Sequence, residues 1–198
     1  MIPRQWILAT AILLALATGM AIYVWQLRRH EAATPAPVAA EPHVSPPAPG
    51  PTENVTVWVA YDASGTLRDQ TISVPMSSGR QQRAEELMRG LLGIYTTKTS
   101  PHPLQPGAEV RNVYLVDPGI AVIDLNSAFV DGQTSGVLAE ELTVASLIQS
   151  LSSNVPGITK VKILVDGKER ETLSGHADLS GFYDVFQVSD LAKQLTSQ

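Results

Sequence analysis

The sequence predicts an α+β domain: one largely antiparallel mixed sheet of about five to six strands, with two helices packed on one face. Two observations support this prediction. Short alternating or continuous apolar segments, typical of strands, are separated by two longer segments whose apolar residues recur at helical spacing. Their order is hairpin, helix, hairpin, helix and strand, which contains a β-α-β-β-α-β core.

The N-terminal region, residues 1–30, contains a run of twenty uncharged residues at 6–25, with arginines on both sides. A helix of that length covers about 30 Å, the hydrocarbon thickness of a bilayer. We therefore predict a single transmembrane anchor. A cleaved signal peptide is the alternative, because Ala15-Leu16-Ala17 resembles a cleavage site. The flanking positive charges are nearly balanced, so they leave the orientation open.

Residues 31–52 form a second region, a Pro/Ala-rich segment with seven prolines. Such a composition is too poor in large apolar side chains to pack and favours extended polyproline II. We predict a linker that would reach roughly 68 Å if fully extended at about 3.1 Å per residue. A disordered spacer without a distance-setting role would have the same composition.

The remaining region has the length of one domain, which we place at 53–188 with a C-terminal tail at 189–198. Beyond residue 52 the chain has 17 acidic and 11 basic residues, because three of the 14 basic and two of the 19 acidic residues lie before it. This balance argues against a nucleic-acid-binding surface. The absence of cysteine excludes disulfides, thiolate metal sites and a cysteine nucleophile.

The first elements of the domain are a hairpin and a helix. Residues 55–61 and 67–74 are rich in β-branched residues and flank an Asp-Ala-Ser-Gly turn. A helix then follows, ended by Gly93, with one apolar stripe formed by Ala84, Leu87, Met88, Leu91 and Leu92. The connection at 95–108 is rich in proline. His102 lies between two of these prolines with no ligand-type neighbour in sequence, and we interpret it as solvent-exposed.

The second hairpin, 109–125, reads EVRNVYLVDPGIAVIDL and turns at Asp117-Pro118-Gly119. Both faces of its first strand carry apolar side chains, which is typical of a strand in the middle of a sheet. This hairpin is therefore predicted to be the centre of the fold.

The second helix is predicted at 137–151, after a polar loop at 126–135. Its apolar residues cover a wide arc, and Glu141 falls near the middle of that arc. A carboxylate there must be hydrogen-bonded, paired, protonated or exposed through a gap, because an isolated buried charge is too costly. Glu141 is thus either a structural residue or a functional carboxylate.

The last elements are a strand at 159–165, an Asp-Gly turn and a return strand at 168–173. A loop with His176 and Asp178 follows. The tail is long enough for one or two helical turns.

Several segments together resemble the GerMN domain, which occurs in sporulation and spore-germination proteins and in bacterial envelope lipoproteins. They are AEEL at 84–87, Gly107, the hairpin at 110–125, NSAF at 126–129, the helix bearing Glu141, VKILVDG at 161–167 and LSGHADLS at 173–180. The resemblance implies an anchored, extracytoplasmic, non-catalytic domain, with residues 53–198 outside the cytoplasm. Relatives often carry a lipobox cysteine, which this sequence lacks, so its attachment is expected to rest on the N-terminal helix.

The expected function is a membrane-tethered binding or scaffolding module of the cell envelope, without cofactor, metal or nucleic acid. Its partner is an envelope protein or a cell-wall polymer. The alternative is a cell-wall hydrolase that uses Glu141 as acid or base, with His176 and Asp178 assisting. His176 and Asp178 alone are too few to hold a catalytic metal, which usually has three protein ligands.

Overall fold

A computed structural model describes residues 50–116 and 118–196. The predicted α+β class is confirmed. The described residues form six strands and four helices: β1 (Thr52–Tyr61), β2 (Thr66–Pro75), α1 (Arg80–Tyr95), β3 (Val110–Val116), β4 (Ile120–Leu125), α2 (Ser127–Asp131), α3 (Val137–Asn154), β5 (Lys160–Val165), β6 (Tyr183–Asp184) and α4 (Val185–Thr196). In this part of the chain no helix is long and apolar enough to cross a membrane. The predicted anchor and most of the linker, residues 1–49, lie outside the described residues.

The strands form a mixed arrangement, as predicted, but they are divided between two sheets instead of one. Strands β1 and β2 pair antiparallel as one sheet. The other sheet has the order β3-β4-β5-β6, in which β4 and β5 are parallel and the two outer pairs are antiparallel. Helix α1 contacts both sheets through β1, β2 and β3.

The division has a physical cause in helix α3, which lies along the free edge of β1. Ser150 Oγ accepts the Trp58 amide at 2.8 Å, Ser146 Oγ donates to the Trp58 carbonyl, and Asn154 Nδ2 donates to the Thr56 carbonyl at 2.7 Å. These three side chains are four residues apart, so they form one stripe on the helix. They occupy the edge where a third strand would pair.

Helix α1 covers the free edge of β3 in a similar way, through a side chain that bonds to backbone groups of the strand. The Gln81 side-chain amide donates to the Val113 carbonyl and accepts the Leu115 amide at 3.2 Å. At the other end of α1, the buried Tyr95 hydroxyl accepts the Ala60 amide at 2.9 Å. Side-chain hydrogen bonds therefore tie both main helices to strand edges, beyond the apolar contacts of the core.

The turn before β4 is fixed by close backbone contacts. Gly119 has φ +79° and its carbonyl accepts the amides of Thr159 at 2.7 Å and Lys160 at 3.1 Å. A Cβ at this glycine would lie 2.7 Å from the Gly157 carbonyl oxygen. The turn thus sets the start of β5 beside β4.

The predictions of a polar loop at 126–135 and of a return strand at 168–173 were wrong in detail. The expected polar loop at 126–135 contains helix α2, because Asn126 accepts the Phe129 amide at 2.9 Å and the apolar residues of this turn are buried. The expected return strand at 168–173 forms only isolated bridges, such as Val165 with Lys168. Residues 168–171 are four exposed charged residues, which have no apolar face to bury against a sheet.

The C-terminal helix is longer than the one or two turns predicted for the tail. Helix α4 begins at Val185, where the Asp184 carboxylate accepts the amides of Phe186 at 2.9 Å and Gln187 at 3.3 Å. Such a cap satisfies amides that have no partner in the first turn. The helix packs on α3 and on β2.

Candidate functional site

The described part of the domain contains a cleft of about 380 Å³ between α3, the 166–182 connection and α4. It is lined by Glu141, Val144, Ala145, His176, Ala177, Asp178, Gly181, Phe182, Tyr183, Asp184, Gln187, Val188 and Leu191. The fold therefore brings the three residues singled out from the sequence, Glu141, His176 and Asp178, into one site. A cleft of this size is typical of small-ligand or side-chain pockets.

The buried carboxylate of α3 is Glu140, whereas the apolar spacing placed Glu141 near the middle of the buried arc. Glu140 is 0% exposed, whereas Glu141 is partly exposed at the cleft. The apolar residues Val137 and Leu138 placed the centre of the buried arc at Glu141, but both are exposed. The first turn of α3 extends beyond the core, so its apolar side chains do not mark the buried face.

Glu140 holds the loop that forms one wall of the cleft. Its Oε2 accepts the amides of Ser174 at 3.0 Å, His176 at 2.9 Å and Ala177 at 2.9 Å. Its Oε1 lies 2.9 Å from Nδ1 of the His176 ring. Burial alone would raise the pKa of Glu140, but the hydrogen bonds from the His176 ring and from these amides outweigh it and lower the pKa to about 2.

His176 and Asp178 each have a local structural partner. Because the ionised Glu140 carboxylate only accepts, Nδ1 of His176 carries a proton, and the side chain is 43% exposed. Asp178 accepts the Ser180 hydroxyl at 2.6 Å and the Ser180 amide at 2.8 Å. These hydrogen bonds hold the pKa of Asp178 below its usual range. Both side chains thus help to shape the loop.

Tyr183, Phe182 and Asp184 complete the cleft, and the sequence analysis did not single them out. The Tyr183 hydroxyl donates to the Asp178 carbonyl at 2.6 Å. Burial first, and then the negative charges of three neighbouring carboxylates, raise the pKa of Tyr183 to about 12. The three residues lie at 182–184, one residue after the end of the GHADLS segment, and this proximity in sequence was the available signal.

His102 is 1% exposed, so its interpretation as a solvent-exposed residue was wrong. Its Nδ1 lies 2.6 Å from the Asp62 carboxylate and its Nε2 lies 2.9 Å from Thr143 Oγ1. Asp, His and a hydroxyl in this order resemble a nucleophilic triad. The Thr143 hydroxyl is fully buried, however, and also donates to the Ala139 carbonyl at 2.8 Å. The network therefore joins the turn after β1, the 95–108 connection and α3, with His102 and Thr143 buried.

The described residues contain no group of three or more histidine or carboxylate side chains that could hold a metal ion. The carboxylates of the cleft are spread over α3, the loop and the start of α4. What this arrangement provides is a concave surface with aromatic walls and acidic groups.

Comparison with known proteins gives a family and a fold. The Germane family, described as sporulation and spore germination, matches residues 56–171. The tandem GerMN domains of the sporulation protein GerM from Bacillus subtilis are 21% identical, with a TM-score of 0.50, over 68% of this chain and 46% of that chain. The chain therefore spans about half of that tandem structure.

Two further solved structures are similar, each over most of its own length. The first GerMN domain of Bacillus subtilis GerM is 22% identical, with a TM-score of 0.48, over 65% of this chain and 93% of that chain. A chain described as a lipoprotein from Clostridium perfringens is 21% identical, with a TM-score of 0.47, over 71% of this chain and 91% of that chain. No curated protein matches. Because the family match covers more than half of the sequence, the chain belongs to the Germane family, as its resemblance to the GerMN domain predicted.

Proposed function

We propose that the protein is a membrane-tethered, extracytoplasmic, non-catalytic binding module of the bacterial cell envelope. The uncharged run at 6–25 provides the tether, and the proline-rich segment at 31–52 separates the domain from the membrane. The domain then presents its cleft to an envelope partner. Membership of the Germane family supports a role connected with sporulation or spore germination.

One observation carries this proposal: most titratable side chains around the cleft make structural hydrogen bonds, while an aromatic ring in its wall stays exposed. Except for Glu141, the titratable residues in and behind the cleft wall are used to build the site: Glu140 and His176 hold the loop, Asp178 bonds to Ser180, and Asp184 caps α4. The aromatic side chain of Phe182 remains 57% exposed in the wall. This pattern favours recognition by a preformed surface over acid–base chemistry.

A cell-wall hydrolase, the alternative from the sequence, would need a protonated general acid at neutral pH. The pKa of Glu140 is about 2, and that of Asp178 is also lowered, so neither group is protonated there. Glu141 would then have to act as the acid, with His176 nearby. Cleavage of wall polymer that is lost in Glu141→Gln would identify this alternative.

The proposal is tested by topology and by contact in the cell. A phosphatase reporter that is active only outside the cytoplasm is fused after Gln198, and activity is expected. In parallel, a photo-crosslinking amino acid at Phe182 is expected to trap an envelope partner, whereas one at the exposed Gln70 of β2 is not. The proposal would be contradicted if the phosphatase were inactive while a reporter that works only in the cytoplasm, fused at the same place, were active. Equal crosslinking of a partner from Phe182 and from Gln70 would also contradict it.

A further inference from the structure

The cleft has an aromatic wall that no part of the described chain covers. Phe182 and Tyr183 line it, and the Phe182 ring is 57% exposed. Single exposed apolar residues are common on protein surfaces. An exposed ring inside a concave site beside convergent polar groups is instead typical of a ligand pocket.

The polar groups of the cleft are predominantly acidic. Asp178 and Asp184 have local hydrogen-bond donors, but both remain carboxylates that face the site. Glu141 has neither a hydrogen bond nor an ion pair within the described residues, although it is only partly exposed. The pKa of Tyr183 is raised mainly by burial and further by the negative charges of the neighbouring carboxylates. The cleft thus contains one carboxylate without a partner and two that are only locally satisfied.

The Lys162 side chain lies beside the Phe182 ring without lining the cleft. The Lys162 ammonium donates to the Leu179 carbonyl at 3.0 Å and the Ser180 carbonyl at 2.6 Å, and it pairs with Glu169 at 3.3 Å. It lies 5.9 Å from the centroid of the Phe182 ring. Lys162 is absent from the residues that line the cleft, and although its charge helps to lower the pKa of Asp178, its ion pair is with Glu169 and not with Glu141 or Asp184. It also shows that this ring accepts an ammonium group within cation–π distance.

We propose that the cleft binds a lysine or arginine side chain from an extended basic segment of a partner protein. The cationic head faces Glu141 and Asp184, and the methylene stem packs on Phe182. A neutral saccharide can donate hydroxyl hydrogen bonds to Glu141 but brings no counter-charge, and covering several carboxylates without one is costly. A cationic side chain removes that cost, which favours a protein segment over a neutral wall polymer. This inference rests on the proposed function, because it names the ligand class of the same cleft.

The test uses the full chain in neutral detergent micelles and nuclear magnetic resonance. The probes are the peptide acetyl-GKLKG-amide, its neutral analogue acetyl-GQLQG-amide and a tetramer of N-acetylglucosamine. The basic peptide is expected to shift the amide resonances of residues 181–183 with saturation, and more weakly as salt rises. The neutral analogue is expected to bind about fivefold more weakly or worse, as loss of a partly exposed ion pair predicts.

Two variants locate the interaction. Glu141→Gln should weaken binding of the basic peptide by about fivefold, because it removes the carboxylate without a partner. Glu109→Gln, which removes an exposed carboxylate outside the cleft, should leave the affinity unchanged. Amide spectra of both variants without ligand show whether the fold is intact. Equal affinity of Glu141→Gln and the parent would overturn the inference.

The remaining outcomes separate this inference from the proposed function. If the tetrasaccharide shifts the cleft resonances and the basic peptide does not, the ligand class proposed here is refuted and a binding module remains. Absence of saturable binding by the basic peptide also refutes it. Release of soluble fragments from wall polymer by the parent would refute the proposed function itself.

Discussion

Glu140 is expected to stabilise the domain through its charge, and replacement by glutamine isolates that contribution. Its carboxylate is 0% exposed and accepts three backbone amides and the His176 ring nitrogen. A glutamine oxygen can keep the amide bonds but has no charge. Glu140→Leu has no acceptor and leaves three amides without partners, so it should be the more damaging change despite its hydrophobicity.

The size of the effect follows from the pKa. The pKa of Glu140 falls from 4.5 to about 2 on folding. At neutral pH this difference corresponds to about 3 kcal/mol in the free energy of unfolding. Because the folded pKa is the lower one, the contribution is fully present above pH 4.5 and is lost as the pH falls towards 2.

The assay is urea unfolding of the segment 53–198 at a series of pH values, followed by circular dichroism. Between pH 6 and pH 3 the parent should lose about 2 kcal/mol more than Glu140→Gln, since this is the range in which the unfolded glutamate takes up its proton. Glu141→Gln is the matched control and should lose as much as the parent. If Glu140→Gln and the parent lost stability in parallel, or if Glu141→Gln were the variant that differed, the account of the loop would be wrong.

Three further predictions concern the fold. Gly119→Ala should cost about 2 kcal/mol or more in thermal unfolding, because of its positive φ and a backbone oxygen at the Cβ position. Gly93→Ala, where nothing lies within 4 Å, should stabilise by about 0.5–1 kcal/mol; equal effects would contradict this account. Tyr95→Phe should cost about 1–2 kcal/mol by leaving a buried β1 amide unpaired, and the exposed Tyr114→Phe should cost almost nothing. The segment 53–198 should fold alone with mixed helical and strand dichroism, and an unfolded spectrum would remove that boundary.

The order of elements could be predicted from the sequence because apolar periodicity reports which face of a segment is buried. The stripes of α1 and α3 and the alternating strands gave their positions to within a few residues. Periodicity does not report which strands share a sheet. The stripe of Ser146, Ser150 and Asn154 looks solvent-exposed in sequence, yet it covers the edge of β1 and separates the two sheets.

The candidate site was predictable in part. The cleft collects Glu141, His176 and Asp178 as one group, but the buried carboxylate could not be chosen between two adjacent glutamates from apolar spacing. The choice depends on hydrogen bonds from a loop more than thirty residues away. His102 was misassigned for the same reason, because its partner Asp62 lies forty residues earlier in the chain.

We expect the protein to bind its partner in the envelope without cleaving cell-wall polymer. The most direct measurement incubates the full chain with isolated cell-wall polymer and quantifies the soluble fragments released over time. Release by the parent is expected to be no greater than release by Glu141→Gln or by buffer alone. Fragment release by the parent that disappears in Glu141→Gln would show a catalytic carboxylate in the cleft and contradict the account.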